Sequence, residues 1–126
     1  MKKHNEGFLR LVDASKARIR ETDIHTVVAR LKAEDRSFTL VDVREDKEWA
    51  EGFIAGAIHI GKGVMERDIE TLIPEKDREL ILYCGGGFRS ALAADVLQQM
   101  GYKRVASMDG GWHAWCAAGL PTSKPS

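Results

Sequence analysis

Apolar positions along the chain recur with two different periods. Ile24, Val27, Val28 and Leu31 stand at i, i+3, i+4 and i+7, the stripe of a helix with one buried face. Thr22 is placed to cap it. Phe8, Leu9, Leu11, Val12 and Ile19 lie on a polar, helix-forming background and predict an amphipathic helix over residues 5–20. Phe38-Thr39-Leu40-Val41-Asp42-Val43 is short, β-branched and almost continuously apolar, as expected of a strand buried on both faces. Ala57–Ile60, Leu80–Tyr83 and Val105–Met108 read as three further strands. Between them fall an acidic helix over Glu45–Glu51 closed by Gly52, a helix over Val64–Leu72 stopped by Pro74, and a helix over Arg89–Met100 ended by Gly101. A last helix, Gly110–Ala118, precedes Gly119 and Pro121. Strands that alternate with helices predict an α/β fold, a small parallel sheet flanked by helices on both faces. Ligands of such sheets bind beyond the C-terminal ends of the strands, which is where Cys84 falls.

Length and charge narrow the function classes. The 126 residues suffice for one core and leave no room for a second domain of ordinary size. Nineteen basic residues balance nineteen acidic ones, so nothing in the charge points to nucleic acid or anionic lipid as a partner. The longest stretch free of Asp, Glu, Lys and Arg, Gly110–Ser123, is shorter than the about 20 apolar residues that a bilayer requires. The basic start, Met1-Lys2-Lys3, is followed by no apolar run of the secretory kind, and the expected setting is cytoplasmic. Two cysteines, Cys84 and Cys116, do not make a disulfide scaffold. The last residues, Pro121–Ser126, are expected to fray.

Cys84 opens the segment Cys84-Gly85-Gly86-Gly87-Phe88-Arg89-Ser90, between a strand and a helix. Three glycines let the backbone curl so that successive N–H groups point inward. The helix N-terminus that follows adds free N–H groups and partial positive charge, and Arg89 adds a full one. A thiol in such a cradle loses its proton easily, and the thiolate is the nucleophile. The duller alternative is a buried, inert thiol at a tight turn. Cys116 sits on the predicted last helix; the reading as a small apolar filler is preferred to one as a resolving thiol. His59 is expected to be structural, His4 and His25 to lie on the surface, and Trp112 and Trp115 to pack in the core. Cys84, Cys116, His59 and His113 lack the spacing of a metal site, and no phosphate-binding Gly-Lys-Ser/Thr motif is present.

These segments resemble the rhodanese family of sulfurtransferases. Leu40-Val41-Asp42-Val43-Arg44-Glu45 is similar to its strand and Asp-x-Arg segment. Glu51-Gly52-Phe53-Ile54-Ala55-Gly56-Ala57-Ile58-His59-Ile60 is similar to its second motif, with Phe53 where His is usual and Ala55 where Pro is frequent. The loop from Cys84 to Arg89 and Asp109-Gly110-Gly111-Trp112 with Trp115, Gly119 and Pro121 complete the set. The resemblance implies a rhodanese-like domain over 22–121, an N-terminal amphipathic helical extension over 1–21 and a flexible tail over 122–126. It implies a catalytic Cys84 that carries sulfane sulfur, and a substrate-binding loop of Gly85, Gly86, Gly87, Phe88 and Arg89. Asp42 and Arg44 are expected to hold the loop and strands in place. The implied reaction moves sulfur from thiosulfate or a related small-molecule donor to cyanide or a thiol, a protein acceptor included, with no metal or organic cofactor. A sulfur carrier or regulatory binding module of the same fold is the alternative. Four residues separate Cys84 from Arg89, one fewer than in phosphatases and arsenate reductases of similar fold, which argues against oxyanion chemistry of that kind.

Overall fold

The computed structural model describes residues 3–126. In chain order the elements are α1 (Glu6–Lys16), β1 (Arg20–Thr22), α2 (Ile24–Lys32), β2 (Phe38–Asp42), α3 (Asp46–Glu51), β3 (Phe53–Ile54), β4 (Ile58–His59), a 3₁₀ turn (Lys62–Val64), α4 (Met65–Leu72), β5 (Glu79–Tyr83), α5 (Phe88–Gln99), β6 (Val105–Met108), α6 (Gly111–Ala117) and β7 (Thr122–Ser123). Five strands form a parallel sheet in the order β1-β6-β5-β2-β4.

Both faces of the sheet are covered, which is why its central strands read as continuous apolar runs. Side chains alternate along each strand. Leu80, Leu82 and Cys84 therefore join Val41 and Val105 in one core, with Met65 and Ile69 of α4 and Leu97 of α5. Ile81 and Tyr83 face the other way, into a second core with Leu40, Val27 of α2 and Trp115 of α6.

Three predicted features shift. The helix expected over 5–20 stops at Lys16, because Arg20–Thr22 pairs in parallel with Ala106–Met108 as an edge strand. Those three polar residues carry no strand signal; an edge strand this exposed is defined by its backbone partner alone. Asp23, not Thr22, caps α2, its carboxylate accepting the Thr26 N–H at 2.8 Å. Thr122–Ser123, expected to be loose, pairs antiparallel with Phe53–Ile54. The chain is drawn there by Pro121, whose carbonyl accepts from Trp115 Nε1 at 2.8 Å and from the Ala55 N–H at 3.3 Å.

A buried ion pair fastens the C-terminal end of β2. The Asp42 carboxylate accepts from the Arg44 backbone N–H (2.9 Å), Nε (3.1 Å) and Nη2 (2.8 Å). The same Nη2 donates to the Gly52 carbonyl at 2.6 Å, and the guanidinium carbon lies 4.6 Å from the Trp112 ring centroid. Asp42 and Arg44 thus join the end of β2 to the turn at Gly52; the expected hydrogen bonds to the Cys84–Arg89 loop are not among their contacts. Next to them the Tyr83 hydroxyl accepts the Ile54 N–H at 3.0 Å. Burial, then the Asp42 charge, hold that phenol protonated far above its usual range. Asp42→Ala leaves Arg44 as an uncompensated buried charge, and the expected loss of stability is about 3–5 kcal/mol. Urea unfolding checks this, and a loss below about 1 kcal/mol, the scale of an exposed pair, would contradict the role given to the pair.

Candidate active site

Strand β5 delivers Cys84 and helix α5 begins at Phe88, so only four residues turn the chain. Cys84 is 1% exposed. Its Sγ accepts the Gly87 N–H at 3.1 Å and lies 3.5 Å from Ser90 Oγ, which in turn lies 2.8 Å from Ser107 Oγ. Both hydroxyls are fully buried. Gly87 reaches back to the sulfur through a left-handed conformation, φ +102°, that favours glycine.

The outer side of the turn is held by α6. The Trp112 N–H donates to the Cys84 carbonyl at 2.8 Å and the His113 N–H to the Gly85 carbonyl at 2.9 Å. These are N–H groups of the first helical turn, which have no partner within their own helix. Gly111 makes the approach feasible. A Cβ there would run into the Cys84 carbonyl oxygen, and the residue has φ +52°. The His113 ring covers Gly85 so closely that a Cβ on that glycine would lie 3.0 Å from Nε2.

Arg89 does not point freely at the sulfur. It makes a bidentate pair with Glu48 of α3, Nη1 to Oε1 at 2.6 Å and Nη2 to Oε2 at 3.0 Å. Glu48 is held in register by its own helix start, where its side chain accepts the Glu45 N–H in a capping box. The Arg89 hydrogen bonds hold the Glu48 carboxyl down at about 2, against an ordinary value of 4.5. The pair ties α3 to the loop and leaves little net charge at its far end.

The remaining predicted residues are placed as follows. Gly85 and Gly87 are buried and Gly86 is exposed at the mouth. The Phe88 ring packs against His4 and Phe8, so His4 is not a free surface residue. Phe53, in the place where His is usual, stacks on Trp49 with centroids 3.7 Å apart, and His59 stacks on the same indole at 4.9 Å. His59 Nε2 also bonds the Arg44 carbonyl at 2.7 Å, the structural part expected of it. Trp115 is core, whereas Trp112 is half-buried against Arg44. Cys116 is exposed on α6 rather than a core filler. Its neighbour Trp115 takes the inward position of that helix. Sequence reasoning missed Glu48, Ser90 and Ser107. The Glu45-x-x-Glu48 spacing was a visible capping signal, but its partner across the fold was not. Among the described residues no three His, Cys, Asp or Glu side chains gather as a metal site would require. None of the described helices is long and apolar enough to cross a membrane.

Comparison with known proteins decides the family. The model of the Rhodanese-like domain matches residues 24–118. This chain is a rhodanese-like domain. A provisionally named sulfurtransferase of Bacillus subtilis is 40% identical over 94 residues, 74% of this chain and 88% of that protein. A sulfurtransferase of Allochromatium vinosum is 35% identical over 107 residues, 85% of this chain and 97% of the relative. Among solved structures, a Rhodopseudomonas palustris protein of unknown function, described as a possible tyrosine phosphatase, superposes with TM-score 0.86 at 30% identity over 98% of both chains. That overlap takes in α1, which the rhodanese family model leaves out.

Two predictions test the geometry. Gly111→Ala drives a methyl group into the Cys84 carbonyl and is expected to cost more than the about 1 kcal/mol of an ordinary glycine substitution, measured as a fall in the unfolding midpoint. An unchanged midpoint would mean that α6 is free to retreat. The Glu48–Arg89 pair has an acid signature. Because the folded-state value of Glu48 lies below its ordinary value, its stabilisation is complete above about pH 4.5 and fades as pH falls toward 2. The stability gap between wild type and Glu48→Gln should therefore be narrower at pH 3 than at pH 6. A gap of equal size at both would show that the pair is not ionic.

Proposed function

We propose that this rhodanese is a sulfurtransferase that carries sulfane sulfur on Cys84 from thiosulfate, or a related donor, to cyanide or a thiol. The observation that supports it most is the Gly87 N–H donated to Sγ from a loop of three glycines. A donor of this kind, fixed in advance, stabilises negative charge on Sγ while it is the attacking thiolate and again when the thiolate is the leaving group. Gly85, Gly86, Gly87 and Phe88 supply backbone to the loop, and Arg89 shapes it through Glu48.

In the first half-reaction the Cys84 thiolate attacks the outer sulfur of thiosulfate. The new S–S bond forms on Cys84, the old one breaks, and sulfite leaves with the electron pair. The charge that was on the thiolate ends on the terminal persulfide sulfur. In the second, cyanide attacks that sulfur, thiocyanate leaves and the thiolate returns. The cycle is a double displacement, balanced without an outside oxidant or a cofactor. It needs Cys84 reduced, which suits a cytoplasmic setting and the two unpaired cysteines. A phosphatase reading, raised by the likeness to the Rhodopseudomonas protein, sits poorly with a four-residue loop whose arginine is engaged by a carboxylate.

Intact mass after incubation with thiosulfate, without reductant, tests the proposal. Wild type is expected to gain one sulfur atom, lose it to cyanide as thiocyanate, and Cys84→Ser to gain none. Sulfur uptake by Cys84→Ser would refute the mechanism. A wild type that ignores thiosulfate but passes sulfur rapidly between protein thiols would instead mark a sulfur carrier. Release of phosphate from an aryl phosphate, abolished by Cys84→Ser, would favour the phosphatase.

A further inference from the structure

Phe88 is the one residue between Cys84 and Arg89 that has a side chain. The three glycines before it have nothing with which to pack, and glycine backbone is the most costly to order. The Phe88 ring is therefore the loop's only side-chain anchor short of Arg89, and it is held from outside the matched family region. His4 meets it edge-on at 4.8 Å between centroids, and Phe8 lies edge-to-face at 6.1 Å. Lys16 Nζ lies over the ring at 5.3 Å. Helix α1 cannot drift from this position. Ser15 Oγ donates to Asp95 of α5 at 3.0 Å, the Arg18 guanidinium donates to the same carboxylate at 2.6 Å, and Gln98 Nε2 donates to the Arg18 carbonyl at 2.9 Å. Val12 is buried between these two sets of contacts. The helices run side by side in the same direction, Phe8 level with Phe88 and Ser15 level with Asp95, so the N-terminal end of α1 stands beside the mouth of the loop.

We infer that His4 and Phe8 are positioning residues for sulfur transfer: they clamp Phe88 and so fix the Gly86–Phe88 backbone in the conformation that receives sulfur on Cys84. The inference rests on the sulfurtransferase reading. It gives α1 a part in the reaction that its place outside the family region does not suggest. The clamp acts on the loop, so its loss should appear in the chemistry before it appears in the fold.

The experiment uses the full chain with Cys116→Ser, so that Cys84 is the sole thiol. Phe8→Ala, His4→Ala, the conservative Phe8→Tyr, and Leu11→Ala on the exposed side of α1 are compared. Three readouts are taken: the rate of persulfide formation with thiosulfate, the rate of Cys84 alkylation by iodoacetamide, and the unfolding midpoint. Phe8→Ala and His4→Ala are expected to slow persulfide formation by roughly three- to tenfold, the range that edge-to-face contacts supply. Alkylation should rise in the same variants, because a loosened loop uncovers a sulfur that is otherwise buried. Phe8→Tyr should recover most of the rate, and Leu11→Ala should match wild type in both. Persulfide rates within twofold of wild type in both alanine variants would overturn the inference. So would rates and alkylation that change only in step with the fraction unfolded. If wild type takes no sulfur from thiosulfate, the functional reading fails on that arm. Alkylation still reports on the clamp, and equal rates in Phe8→Ala and wild type would then overturn it.

Discussion

A loop can turn its N–H groups inward only if its carbonyls are satisfied on the outside. Here that condition is met by two hydrogen bonds from the start of α6 to Cys84 and Gly85. Backbone polar groups at a buried turn must find partners, and these carbonyls find theirs in helix N–H groups that also lack one. One glycine contact makes the arrangement compact, since a methyl group at residue 111 would occupy the place of the Cys84 carbonyl. The turn at the sulfur is thus held by helix residues 28 positions further along the chain, to which the glycines of the loop conform.

Charge around the site is organised in pairs rather than left free. Asp42 with Arg44 lies fully inside, and Glu48 with Arg89 lies at the rim. The inner pair is a fastening, because removing either member strands a buried charge. The outer pair holds α3 against the loop while cancelling most of the positive charge expected from Arg89. Beside the sulfur the partial positive charge is mainly that of the backbone: the Gly87 N–H and the N-terminal end of α5.

Much of this was legible in the sequence, and the limits follow from which forces act locally. The apolar runs Phe38–Val43 and Leu80–Tyr83 announced buried strands because both faces of each are covered. Cys84 at a strand end followed by three glycines marked the candidate site, and the strand-to-helix turn with the Gly87 N–H on the sulfur stands at that segment. Arg20–Thr22 was not legible, for an edge strand of polar residues owes its existence to β6. Glu48 was visible as a cap but not as a partner of Arg89, since 41 residues separate the two. Ser90 and Ser107 look like any serines until the fold sets their hydroxyls 2.8 Å apart beneath the sulfur. His4 looked solvent-exposed because it precedes α1 and carries no periodic signal; only the fold sets it against the Phe88 ring.

The sheet order carries a consequence for how the molecule comes into being during synthesis. Strand β1 precedes the other four strands of the sheet and β6 follows them, yet each is the other's neighbour. The helix that holds the Cys84 and Gly85 carbonyls is later still. On the ribosome, the first strand therefore waits unpaired while the rest of the sheet is translated, the kind of long-range pairing that forms late. The loop from Cys84 to Gly87 is completed by residues that emerge after every strand of that sheet. Until α6 has been made, the Cys84 and Gly85 carbonyls lack the N–H groups that hold the turn in shape.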